Sequence, residues 1–348
     1  LNCLRVRKMA ETITNHYGAK DVNSDQEVRW CPGCGDHGIL ASLQKTLAEL
    51  EIPRERYVFL AGIGCSSRLP YYMNTYGFHG IHGRAAAIAT GIKIANPDLM
   101  VWEMTGDGDA LAIGGNHYIH AIRRNIDIKI ILFNNEIYGL TKGQYSPTSK
   151  KGLSTKTSPY GTIEEPFKIG ELTIGANGRF FARTVDYNLQ LSNEVYKEAA
   201  KFHGTAVVEV IQNCVIFNDG AFDAFTSKEN RDDNTLVLHH GQKMIFGKNR
   251  DKGIILKDLK LRVVTIGEDG ITEDDILTHD AHEPNPGIHY RLAGMSLPEY
   301  PVALGVIRAI NAQTYDAAMM EQHERVQAKS QVRSVDDLLR SGSTWEVK

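Results

Sequence analysis

Long apolar runs are missing from this 348-residue chain. None approaches the roughly 20 residues that a membrane-spanning helix needs, so no membrane partner is expected. A strong charge of one sign is missing too. The formal net charge is −3, and bulk electrostatics supply no argument for nucleic acid or an anionic lipid surface. The opening LNCLRVRKMAETI lacks the apolar core of a secretory signal, and Met9 is a candidate native start. The resulting expectation is a cytoplasmic protein. Cysteine is scarce, with five residues at Cys3, Cys31, Cys34, Cys65 and Cys214. That is too few for a disulfide scaffold of this length, whereas the close C-x-x-C at Cys31 and Cys34 points to metal or redox chemistry. What is present is ordinary for a globular protein: 42% hydrophobic and 23% charged residues. The length suits one large α/β domain with an appendage, or two ordinary domains.

Short β-branched runs alternate with helical stretches between about Val58 and Ile211. The runs Tyr57–Gly62, Leu99–Met104, Ile128–Phe133 and Ala206–Ile211 read as strands. Each is almost wholly apolar, as parallel strands buried on both faces must be. Helices are predicted over Arg84–Ala95, Ile113–Arg124 and Leu191–Phe202, with Pro97 and His203-Gly204 as stop signals. The alternation implies an α/β fold with a doubly wound, mostly parallel sheet, whose ligands gather at the carboxyl ends of the strands. The segment Asn135–Gly178 is rich in Gly, Ser, Thr, Lys and Pro and is too long for a simple connection, so a functional loop is expected there. Beyond Phe222 the rhythm fades. Asn230–Asp280 reads as charged strand and loop, Leu297–Val326 as one or two helices divided near Asn311, and the residues after Ser330 as a polar, poorly ordered tail.

The strand before Thr105 runs directly into Gly106-Asp107-Gly108-Asp109, and Asn134-Asn135 follows the strand at 128–133. Two neighbouring strand ends would thus bring a carboxylate and an amide oxygen to one point. A hard octahedral Mg²⁺ accepts such oxygens together with a backbone carbonyl and the oxygens of a diphosphate. Gly106 and Gly108 would let backbone approach the diphosphate, and the helix starting near Ile113 would offer it N–H groups. Alone, Gly-Asp-Gly is common turn chemistry. Paired at this spacing, GDG-x25-NN resembles the thiamine-diphosphate signature shared by transketolases, decarboxylases and 2-oxoacid oxidoreductases. Through that resemblance the magnesium ligands carry over as Asp107, Asn135 and the carbonyl of Ile137.

Four of the cysteines fall on the same edge of such a sheet. Cys31 and Cys34 lie in the turn WCPGCG, Cys65 follows the first strand, and Cys214 follows the last. Four soft ligands suit either Zn²⁺ or a 4Fe–4S cluster. Beside a thiamine site the cluster has the better rationale, because it gives the reaction's electrons an exit and zinc gives none.

Six blocks in order, WCPGCGDHG, GIGCSSRLP, HGRA, GDGD, NNEIYGLTKGQYSPT and NCVIFN, resemble the β subunits of 2-oxoacid:ferredoxin oxidoreductases, those of the two-subunit 2-oxoglutarate enzymes most of all. The resemblance spans about Trp30 to Asn218. It implies one 4Fe–4S cluster held by Cys31, Cys34, Cys65 and Cys214. It further implies thiamine diphosphate against Ile63, Gly64, Cys65 and Ser66, against His82, Gly83, Arg84 and Ala85, and against Gly108, Asp109, Gly139 and Leu140. Arg68 and Lys142 match positions that contact substrate carboxylates, which favours 2-oxoglutarate. No glutamate suited to the aminopyrimidine ring of thiamine occurs near these blocks, and the family carries it on an α subunit. The expected partners are therefore that α subunit, ferredoxin, a 2-oxoacid and coenzyme A. The expected organisation is an N-terminal arm over 1–29, the cofactor-binding domain over 30–221, and an extension over 222–348 that packs on a neighbour.

Overall fold

A computed structural model describes residues 17–347 of the chain; Cys3 and Met9 lie outside them. Strands β1 (Tyr57–Ala61), β2 (Tyr76–His79), β3 (Met100–Gly106) and β4 (Ile128–Asn134) come first. A small hairpin, β5 (Ile137–Tyr138) and β6 (Gln144–Tyr145), follows β4. Next are β7 (Phe180–Val185), β8 (Ala206–Ile211) and β9 (Thr235–Leu238). A separate antiparallel sheet contains β10 (Ile245–Phe246), β11 (Lys252–Lys257) and β12 (Lys260–Thr265), and the last strand is β13 (Val302–Ala309). The main sheet has the order β2-β1-β3-β4-β8-β7-β13-β9. Its pairings are parallel except β13 against β7.

The sheet is wound on both faces. Tyr57, Phe59, Trp102, Met104, Ile131, Phe133 and Val208 face one core, with Leu43 and Leu47 of α1 (Asp36–Leu50). Leu60, Val101, Ile130, Leu132 and Val207 face the other core, with Ala85 and Ala89 of α2 (Ala85–Ala95). Alternate residues of one strand are thus buried on opposite sides, which is why the strands read as unbroken apolar runs.

Some expectations are corrected. Residues 302–309 form a strand, so the helix expected across Leu297–Val326 exists only in its later part, as Tyr315–Lys329. Gly305 at φ +90° and a bulge between Val306 and Arg308 had broken the strand's alternation. Residues beyond 222 supply β9 and β13 to the main sheet. The helix expected over Ile113–Arg124 is α4 (Gly115–Arg124), and a further short helix, α3 (Asp107–Leu111), precedes it and opens on the Gly-Asp-Gly segment itself. Ile113 lies in the turn between them. The segment 135–178 holds the β5–β6 hairpin and α5 (Ile169–Gly175), and α6 (Leu189–Lys201) stands where a helix was expected. The expected polar tail includes a short helix, Val335–Arg340.

Candidate active site

The carboxyl ends of β1, β3 and β4, adjacent in the sheet, border a cavity of about 530 Å³. Of the residues expected there, Ile63, Gly64, Cys65, Ser66, His82, Asp107, Gly108, Asp109, Asn135, Ile137, Gly139 and Leu140 line it. Gly83, Arg84 and Ala85 lie just behind His82, where Arg84 caps α2 and Ala85 is buried as its first residue.

Asp107 is buried at the start of α3. Its Oδ2 accepts hydrogen bonds from Ser146 Oγ at 2.6 Å and Thr148 Oγ1 at 2.5 Å. Both donors hold the same oxygen, and the backbone N–H groups of Gly108 and Asp107 also bond the carboxylate. Burial raises the Asp107 carboxyl above its ordinary range and the two hydroxyls oppose that rise. A divalent ion at this carboxylate would favour its charged form outright. Asn135 sits opposite, at the end of β4, and its Oδ1 accepts from Ile137 N–H at 3.2 Å. Ser146 and Thr148 close the block NNEIYGLTKGQYSPT in the expected functional loop, but the block by itself gave them no role.

Asp109 has a different task. Its carboxylate accepts from Ile63 N–H at 3.0 Å, Gly83 N–H at 2.7 Å and Thr105 Oγ1 at 2.8 Å, and pairs with His82 Nδ1 at 2.7 Å. It ties the loop after β1 to the loop before α2. The side chain is spent on these contacts, so a ligand would meet only its backbone. A Cβ on Gly108 would stand 2.2 Å from the Tyr138 ring, whose hydroxyl donates to the Gly108 carbonyl at 3.0 Å. Only glycine fits there. Ser66 Oγ is buried without a partner among the described residues, a donor free for an anionic ligand.

Of the cysteines, Cys65 lines the same cavity. A Cβ on Gly139 would lie 3.5 Å from both Cys65 Sγ and Cys214 Sγ. Cys34 is close enough to feel both, and Cys31 acts on Cys65. Burial and the nearby Asp36 carboxylate push the Cys65 thiol up to about 12, with Cys214 and Cys31 adding to the rise. Burial raises Cys34 further still, again with Asp36 beside it. Thiols so placed become thiolates only with a cationic centre between them, which is what iron supplies. Trp30 Nε1 donates to the Cys65 carbonyl at 2.8 Å and fixes the loop.

The two cations divide. Arg68 lines an adjoining cavity of about 470 Å³ with Arg29, Tyr71 and His79; the two cavities share Ile63, Gly64 and Leu140. Lys142 is exposed in the β5–β6 turn at φ +78° and lines neither cavity.

The fold and the placement of these groups define a thiamine-diphosphate enzyme. Residues 62–210 match the family model described as the C-terminal TPP-binding domain of thiamine pyrophosphate enzymes. The chain is 47% identical over 331 residues to the 2-oxoglutarate oxidoreductase subunit KorB of Mycobacterium tuberculosis, covering 94% of this chain and 88% of that one. It is 46% identical over 185 residues to the 2-oxoglutarate synthase subunit KorB of Archaeoglobus fulgidus, covering 53% of this chain and 69% of the other. Its structure is similar to the 2-oxoglutarate:ferredoxin oxidoreductase of Magnetococcus marinus, solved with 2-oxoglutarate, coenzyme A and succinyl-CoA bound. That likeness has a TM-score of 0.75 and 30% identity, and covers 95% and 97% of the two chains. The chain belongs to the β subunits of the 2-oxoacid:ferredoxin oxidoreductases. It is one subunit of a multi-subunit enzyme, and among the described residues no helix is long and apolar enough to cross a membrane.

Proposed function

We propose that this chain is the thiamine-diphosphate-binding subunit of a coenzyme A-dependent 2-oxoglutarate:ferredoxin oxidoreductase. The reaction is the reversible conversion of 2-oxoglutarate and coenzyme A to succinyl-CoA and CO₂, with two electrons passing singly to ferredoxin. Thiamine diphosphate, when bound, supplies the chemistry of decarboxylation. Asp107, Asn135 and the Ile137 carbonyl hold its Mg²⁺. Cys31, Cys34, Cys65 and Cys214 hold one 4Fe–4S cluster. Arg68 meets a substrate carboxylate from the adjoining cavity, and Lys142 reaches one from the hairpin turn. The α subunit completes the site.

One observation carries this reading: Gly139 lines the cavity beside Asp107 and Asn135 and also stands between the sulfurs of Cys65 and Cys214. A redox centre held there abuts the cofactor cavity. Among the described residues no three His, Cys, Asp or Glu side chains converge closely enough for a single ion. A zinc site needs sulfurs within about 2.3 Å of one metal, whereas a 4Fe–4S cluster takes each thiolate on its own iron.

Anaerobic purification of the complex with its α subunit tests the reading. Brown protein with about four iron and four sulfide per chain is expected, together with 2-oxoglutarate-dependent reduction of ferredoxin or a viologen that exceeds the rate with pyruvate. A colourless zinc protein, or better turnover of pyruvate, would overturn it.

A further inference from the structure

Gln212 stands between the two halves of the site. It is the first residue beyond β8, 1% exposed, and its backbone N–H bonds the Asn134 carbonyl at 2.9 Å. Its side-chain Oε1 accepts from Asn135 Nδ2 at 2.8 Å. Its Nε2 donates to Cys34 Sγ at 3.2 Å and to the Asn213 carbonyl at 2.7 Å. The surroundings dictate this orientation. Rotated by half a turn, the amide would set its oxygen against a carbonyl oxygen and a sulfur, and its NH₂ against the NH₂ of Asn135. The Asn213 carbonyl is itself anchored, because Gly35 N–H also donates to it at 3.2 Å. With Nδ2 engaged by Gln212, Asn135 keeps Oδ1 for its two acceptor roles, one filled by Ile137 N–H and one open to a cation.

We propose that Gln212 is a positioning residue shared by the two cofactors: it turns the oxygen of Asn135 to the magnesium and raises the reduction potential of the cluster through its bond to Cys34. The inference rests on the reading that Asn135 ligates magnesium and Cys34 ligates the cluster. An N–H donor at a ligating sulfur stabilises the more negative, reduced cluster more than the oxidised one, which moves the potential up. An amide pinned at both ends and nine-tenths buried or better holds that donor rigidly, so the effect does not average away.

Two substitutions in the assembled enzyme separate the roles. Gln212→Leu removes both contacts. Gln212→Glu keeps an oxygen acceptor for Asn135 and removes the N–H from Cys34. In redox titrations followed by electron paramagnetic resonance, both variants should show a cluster potential more negative than wild type. Titration of the cofactor-free complex with Mg²⁺ and thiamine diphosphate should show about 10- to 100-fold weaker binding in the Leu variant, the usual cost of losing an outer-shell partner, and within a few-fold of wild type in the Glu variant. Unchanged potentials in both variants at full iron content would overturn the proposal, as would equal losses of cofactor affinity in both. A wild-type complex without iron, or without magnesium-dependent thiamine binding, would instead overturn the functional reading beneath it.

Discussion

The two ends of β4 treat buried polar groups in opposite ways. At its amino end Asp127 takes Lys93 Nζ at 2.9 Å and Lys129 Nζ at 2.6 Å. Lys129 also donates to the carbonyls of Phe202 and Gly204, and Lys93 to that of Leu99 at 2.9 Å. Every charge there is answered from within the chain. At the carboxyl end Asp36 Oδ2, Ser66 Oγ and Ser67 Oγ are buried with no partner among the described residues. The difference teaches what each end is for. Desolvated polar groups must be satisfied somewhere, so an end that satisfies its own contributes stability, and an end that does not awaits a ligand.

The sharpest way to break this contrast is to remove a charge from each end. At the carboxyl end, Asp107→Ala deletes the proposed charged magnesium ligand and should abolish magnesium-dependent thiamine diphosphate binding in calorimetric titration, while the melting temperature of the cofactor-free protein changes little. At the amino end, Asp127→Ala strands two buried ammonium groups and should cost about 3–5 kcal/mol of stability by denaturant titration. The thiamine affinity of the protein that remains folded should not change. If the two losses were exchanged, with Asp107→Ala unfolding the chain and Asp127→Ala sparing it, the contrast would be wrong.

A finer comparison sets the adjoining cavity against the hairpin turn. Arg68→Ala should raise the KM for 2-oxoglutarate far more than that for pyruvate, by roughly thirty- to several-thousand-fold if it closes on the distal carboxylate. Lys142→Ala, from an exposed turn, should cost about 1 kcal/mol or less unless the α subunit buries it. Equal losses on both substrates would assign Arg68 to the carboxylate that all 2-oxoacids share.

The smallest effect is the acid response of the amino end. Burial alone would raise the Asp127 carboxyl, but the ammonium groups of Lys129 and Lys93 outweigh it and hold the folded value at about 2, against 3.8 ordinarily. A depressed carboxylate stabilises the fold above its unfolded value. The contribution, on the order of 2 kcal/mol, is therefore complete above about pH 4 and lost as the pH falls through 2. The difference in stability between wild type and Asp127→Asn should accordingly shrink across that window. A constant difference would remove the charge pairing as its cause.

What was legible in the sequence was local. The strands at 57–61, 100–106, 128–134 and 206–211 announce themselves because burial on both faces demands unbroken apolar runs. The cysteines, Asp107 and Asn135 stand in short motifs directly after those strands, so a parallel sheet brings them to one edge. β7 escaped notice because Arg183 interrupts its run FFARTV, and that residue is buried by pairing with Glu209 on the neighbouring strand at 2.7 Å and by donating to the Ala303 and Ala293 carbonyls. The antiparallel return of β13 was equally hidden, since strand pairing across more than a hundred residues leaves no mark in local composition. The same holds for Ser146 and Thr148, whose hydroxyls reach Asp107 only after the chain has folded back over β4, and for Gln212, whose side chain gains meaning from Asn135 and Cys34. By itself the sequence determined the central parallel strands and the edge on which Asp107, Asn135 and the cysteines gather, because each depends on residue type and position along one strand. Only the tertiary structure decided that Ser146 and Thr148 hold Asp107, that Asp109 braces loops and that Gln212 joins the two halves. Those depend on the direction of individual hydrogen bonds between distant segments, which no periodicity encodes.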